Sequence, residues 1–103
     1  MKCFSIESLP LLKIVEIYTL VRGSTVRTKH VGRDMMADLK SVVGGELKGY
    51  TELLAEGREE AIYRMQSDAH ALGANAILGV RLASSSPTPD AVEIIAYGTA
   101  VKI

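Results

Sequence analysis

The chain has 103 residues, of which 48% are hydrophobic and 23% charged, with only nine glycines and three prolines. That is the composition of one folded domain, and it excludes both a disordered segment and a two-domain enzyme. Twelve basic and twelve acidic residues cancel, so the basic excess that attracts phosphate backbones and anionic membranes is missing, and neither nucleic acid nor a membrane is expected as a partner.

The single cysteine, Cys3, rules out an intramolecular disulfide and any C-x-x-C motif, which points to a reducing compartment. Glu7, Pro10 and Lys13 interrupt the N-terminal apolar run before it could act as a leader. No stretch approaches the roughly 18 apolar residues of a spanning helix. A cytoplasmic protein is therefore expected.

The first predicted element is a strand over Leu12–Arg22, rich in β-branched residues and ended by a turn at Gly23-Ser24. Residues Gly32–Val43 place Met35, Met36, Leu39, Val42 and Val43 at helical spacing opposite Arg33, Asp34, Asp38 and Lys40, which predicts a short amphipathic helix stopped by Gly44-Gly45. Tyr50, Leu53, Leu54, Gly57, Ala61, Met65, Ala69 and Leu72 mark the stripe of a long helix over Tyr50–Leu72, with His70 in its last turn and Gly73 as its C′ residue. A second strand over Asn75–Ala83 carries Ala76, Leu78, Val80 and Leu82 on one face. The serines and prolines of Ser84–Asp90 predict a loop. The final strand, Ala91–Ile103, alternates two sets that are both largely apolar, and Gly98 inside it marks a close backbone approach or a bulge.

Together these elements predict an α+β fold for the single domain 1–103, a two-layer α/β unit with a small antiparallel sheet packed on two helices. Two helices cover one face of three strands. The other face is too apolar for water to be its cover, and three strands leave two unpaired edges, so symmetric self-association is expected. A larger sheet made by pairing of Phe4–Leu9 is the alternative.

Motifs for chemistry are sparse. The loop Gly44-Gly45-Glu46-Leu47-Lys48-Gly49 lacks the phosphate-binding spacing G-x-x-x-x-G-K-[ST]. Asp34 and Asp38 lie one helical turn apart, and nothing in the sequence marks a pocket that would set their pKa values apart. Cys3, His30 and His70 fall in no ligand-spacing motif, and Met35, Met36 and Met65 read as core filling. No nucleophile elbow is present, and no cofactor is indicated.

Arg33-Asp34, Val43-Gly44-Gly45, Gly49-Tyr50, Leu54, Arg58, Ala61, the segment Ala71-Leu72-Gly73-Ala74-Asn75-Ala76-Ile77 and the closing Tyr97-Gly98-Thr99-Ala100-Val101 together resemble the YbjQ-like family of small uncharacterised bacterial and archaeal proteins. The resemblance runs from Ile14 onward. It implies a dodecin-subunit-like fold and a homopentamer, and the family often carries a heavy-metal-binding label without assigned catalytic residues. Thr28 and His30 stand where the family often has a glycine and an asparagine.

The combined expectation is a non-enzymatic homo-oligomer, a pentamer on the resemblance, binding a small ligand or metal ion at subunit interfaces. Arg33, Asp34, Tyr50, Glu52 and Arg58 are the candidate ligand-binding residues, and His30 is the candidate metal ligand. An enzyme whose site is shared between subunits and a purely structural ring are the alternatives. No tight zinc or copper site is expected: one chain offers only Cys3, His30 and His70, near the start, before the first predicted helix and at the end of the long one, and a five-fold ring of His30 copies would match tetrahedral zinc poorly.

Overall fold

The computed structural model describes residues 1–28 and 48–103. Strand β1 is Lys2–Cys3, β2 is Glu16–Thr28, helix α1 is Lys48–Ala71, β3 is Ala76–Thr88 and β4 is Ala91–Lys102. The strands form one sheet in the order β1-β3-β4-β2. β2 and β3 flank β4 antiparallel, whereas β1 runs parallel to β3. The fold is thus α+β, but the sheet is mixed and four-stranded, not antiparallel and three-stranded. The additional strand, Lys2–Cys3, precedes the Phe4–Leu9 segment of the alternative reading; of that segment Phe4 and Ile6 join β3 through hydrogen bonds, the Phe4 amide donating to the Ile77 carbonyl and the Gly79 and Val80 amides to the Ile6 and Phe4 carbonyls. The predicted helix over Gly32–Val43, the Gly44-Gly45 stop and the candidates His30, Arg33 and Asp34 lie outside the described residues.

Helix α1 spans 24 residues, about 36 Å at 1.5 Å per residue, and lies chiefly across β2 and β4. Its buried residues Gly57, Ala61, Met65 and Ala69 recur every fourth position, the spacing of one inclined ridge along a helix. Ala61, Met65 and Ala69 are wholly buried against Val21, Ala96 and Ala100 of the sheet. The helix ends as its sequence predicts: Gly73 takes φ +91°, its amide donates to the His70 carbonyl at 3.0 Å, and the Ala74 amide reaches back to the Ala69 carbonyl at 3.2 Å. This is a Schellman closure, which the absence of a Cβ at Gly73 allows without steric cost.

Asn75 then joins the ends of the sheet. Its side chain donates to the Ile103 carbonyl at 2.9 Å and accepts from the Ile103 amide at 2.8 Å, so one carboxamide substitutes for a backbone pair beyond the last residue of β4.

Two predicted turns are strand interior. β2 passes straight through Gly23-Ser24, because Gly23 serves contact with the helix: a Cβ there would collide with the Met65 amide nitrogen and the Ala61 carbonyl oxygen, and lie 2.7 Å from the Arg64 carbonyl carbon. β3 continues through Ser84–Thr88, Pro87 included. Beyond Val80 no described strand pairs with its outer side, and the β3–β4 register is irregular between Ser85 and Thr88, where a residue lacking an N–H is tolerated. The reversal falls instead at Pro89-Asp90.

β3 also does not keep Ala76, Leu78, Val80 and Leu82 on one face. Gly79, at φ +63°, sits in a register shift between Leu78 and Arg81. Ala76 and Leu78 therefore face away from α1, while Ile77 and Val80 pack on its side. An extra residue in one strand inverts the alternation beyond it.

Candidate functional site

The sheet has one face covered by α1 and a second face on which register builds cross-strand rows. Leu20, Thr99 and Leu78 form one row, Arg22, Tyr97 and Arg81 the next, then Ser24, Ile95 and Ala83, then Val26, Glu93 and Ser85. At one end the N-terminal segment covers this face: Phe4, Leu9, Ile14 and Ile103 pack over Ala76, Leu78 and Val101. Elsewhere no described element covers it. Val15, Ile17, Leu20 and Val26 are 57–68% exposed, all on or beside β2, the outermost strand of its side of the sheet. Exposed aliphatic side chains along a strand whose outer edge no described strand pairs mark a surface suited to association.

Between the N-terminal segment and this face lies a cavity of about 320 Å³, lined by Glu7, Ile14, Ile17, Leu78, Gly79, Thr99 and Val101. The Glu7 carboxylate stands 3.9 Å from an Arg81 guanidinium nitrogen, and Arg81 is itself fixed by donating to the carbonyls of Ser5 at 2.7 Å and Val80 at 2.9 Å.

A smaller groove of about 160 Å³ lies on the helix side, lined by Leu54, Arg58, Leu82, Ala83, Ser84 and Ile94. Arg58 is the sequence candidate found there. Glu52 is exposed and sits about 160° around the helix from the half-buried Tyr50 at 3.6 residues per turn. The three described candidates therefore do not converge on one helix face.

The closest charged cluster ties α1 to β2. Glu60 accepts from Arg27 and Arg64, one carboxylate oxygen each, at 2.5 Å; Arg64 also donates to the Ser24 carbonyl at 2.6 Å, and Glu56 lies 4.0 Å from Arg27. A partly exposed network of this kind fixes orientation and contributes little energy per pair. Nearby chemistry is modest. The Tyr18 phenol is held above its ordinary pKa of 10.0 by desolvation, then by the negative charge of Glu16 and a hydrogen bond to it, and it donates to the Gly73 carbonyl at 3.4 Å.

The soft metal ligands are dispersed. Cys3 is exposed and its sulfur accepts from Gln66 at 3.4 Å, while His70 is exposed in the last helical turn. Among the described residues no group of three or more His, Cys, Asp or Glu side chains is placed to hold an ion. The described residues of one chain thus do not fit a heavy-metal site. Also among them, no helix is long and apolar enough to cross a membrane.

Sequence reasoning missed the cavity, because it needs the N-terminal segment folded over the sheet and the bulge at Gly79. The apolar N-terminal positions Phe4, Leu9 and Ile14 were its one available signal.

Comparison with known proteins places these features in context. The family model described as "Putative heavy-metal-binding", of the YbjQ type, matches residues 1–103. A UPF0145 protein of Hahella chejuensis is 56% identical over 97 residues, covering 94% of this chain and 93% of its own. One from Helicobacter hepaticus is 50% identical over 103 residues, covering 100% and 98%. A UPF0145 protein of Thermus thermophilus is 48% identical over 99 residues, covering 96% and 87%. The fold is also similar to the crystal structure of a protein of unknown function of the DUF74 family from Pediococcus pentosaceus, with TM-score 0.61 and 15% identity over 100% of this chain and 97% of that one. A whole-chain family match and relatives at about half identity place this chain in the YbjQ-like, UPF0145 family.

Proposed function

We propose that this protein is a non-enzymatic, self-assembling subunit that holds a small ligand, or a heavy-metal ion, with sites completed by its copies. The observation that carries the reading is the stripe of Val15, Ile17, Leu20 and Val26 on and beside β2, the outermost described strand on its side of the sheet, each more than half exposed. Burying an aliphatic side chain of this size stabilises an assembly by about 1.5–3 kcal/mol when burial is complete. Pairing the β2 edge in the same contact satisfies its backbone groups.

β2 bounds one side of the sheet, and β1 with β3 bounds the other. Contact between unlike edges is heterologous, and such contacts close into rings when the rotation allows. A dodecin-like layered subunit in a ring of five is the assembly the family resemblance supports. Cys3 and His70 lie apart in one chain, so a metal ion would draw on residues pooled between copies.

Light scattering of the purified chain at micromolar concentration tests this. The expected mass is that of five chains, and the mass of one chain contradicts the reading. Because association contributes to folding, the melting temperature is expected to rise with protein concentration.

A further inference from the structure

We propose that the cavity beneath the N-terminal segment is a binding site for a small zwitterion with a branched aliphatic body, the chemistry of a single aliphatic amino acid. The assignment goes beyond the proposed function, since it places a small ligand inside one chain. At about 320 Å³ the cavity falls at the lower end of the roughly 300–1,000 Å³ of small-molecule sites.

Its floor and walls are aliphatic, from Ile14, Ile17, Leu78 and Val101, with the Thr99 hydroxyl the neutral polar side chain among them. Such a lining selects a hydrocarbon body. One carboxylate lines the cavity, and a guanidinium lies next to that carboxylate, outside the lining. Glu7 lines the cavity itself, and Arg81 stands beside it, with one guanidinium nitrogen 3.9 Å from the carboxylate and another tied to two backbone carbonyls. Arg22 lies two strands away from Arg81 in the same cross-strand row, with Tyr97 between them.

A simple amine would meet a carboxylate already offset by Arg81, and a simple carboxylate would have to approach Glu7. A zwitterion answers both: its ammonium faces Glu7 and its carboxylate the guanidinium side, where planar donors suit carboxylate oxygens. Gly79 lines the cavity at the bulge of β3, and its φ of +63° favours glycine there.

The test is titration of the full chain, followed by NMR at Leu78, Thr99 and Val101, with three probes of one shape: L-leucine, isopentylamine and 4-methylpentanoate. Leucine is expected to shift these resonances saturably, with the other two at least about tenfold weaker. Glu7→Gln is expected to weaken leucine about tenfold and to erase its advantage over 4-methylpentanoate, an effect that general loss of packing does not produce. Absence of saturable shifts at these residues, or a leucine preference unchanged in Glu7→Gln, overturns the assignment. Leucine binding that emerges only on dilution to single chains shows a second copy filling the cavity; it overturns the assignment and leaves self-association standing. Saturable leucine binding by a chain that light scattering finds monomeric at every concentration supports the cavity and removes the ring.

Discussion

The two faces of the sheet are built on opposite principles. On the helix side, small residues bring backbone against backbone: Gly23 admits no Cβ beneath α1, and Ala61, Ala69, Ala96 and Ala100 are wholly buried around Met65. On the second side, larger aliphatic residues are covered only where the N-terminal segment folds over Ala76, Leu78 and Val101, and along β2 they remain open. The first face resists change in volume, as a close-packed interior does. The second, exposed along β2, is expected to tolerate substitution within one chain. Close packing is concentrated on one face, and the proposed self-association belongs to the other.

Gly23→Ala gives the largest expected effect. The new methyl would overlap helix backbone at Met65 and Ala61, which cannot swing aside as a side chain end can. A loss of more than about 3 kcal/mol is expected, at the upper end of overpacking costs, read as failure to fold or a collapse in denaturant midpoint. Wild-type stability would show that α1 does not approach β2 this closely.

Gly98→Val comes next. A Cβ at Gly98 would lie 2.7 Å from the Ile77 Cγ2 atom, 2.9 Å from the Leu78 carbonyl oxygen and 3.2 Å from the Val80 Cγ2 atom. Two of these neighbours are side-chain methyls that can yield, so the expected cost is about 1–3 kcal/mol, seen as a melting temperature lower by roughly 4–20 °C. An unchanged melting temperature would place Gly98 in open space.

These two glycines show how much the sequence made legible. Gly98 within an apolar strand already signalled a close approach, and Gly73 after the last periodic residue of α1 signalled its cap. Gly23 was read as a turn because Gly-Ser is a strong local breaker, and only packing against a helix distant in sequence keeps that strand extended. Pro87 misled in the same way, since its cost depends on whether a neighbouring strand needs its amide. The face assignment of β3 failed beyond Leu78 because one bulge residue, Gly79, inverts the alternation. Of the candidate site residues, Arg58 reaches a groove and Tyr50 and Glu52 diverge, because helical spacing alone does not say which flank of α1 meets the sheet.

On the second face, Leu20→Lys with Val26→Lys is expected to change the fold of one chain little, because both positions are more than half exposed and exposed substitutions usually move stability by about 0.5 kcal/mol or less. The same pair is expected to reduce the mass in light scattering to a single chain. An intact oligomer would move the interface away from β2.

The smallest effect is at alkaline pH. Tyr18 has its phenol pKa raised in the folded chain, so its contribution to stability is complete below the ordinary value of 10.0 and is lost as pH rises through the folded value. Tyr18→Phe removes that titration, and its melting temperature is expected to fall less between pH 9 and 11 than that of the parent chain. Parallel pH profiles would show that Tyr18 ionises as freely in the fold as in the unfolded chain.

The division between the two faces is tested most directly by amide hydrogen exchange, followed residue by residue across a dilution series. Protection along Glu16–Thr28 is expected to fall as the protein is diluted and the β2 edge loses its partner, while amides in the middle of α1 around Ala61 and Met65 keep their protection. Protection of β2 that is independent of concentration, across a range in which light scattering shows the assembly coming apart, would contradict the claim that this edge is where copies meet.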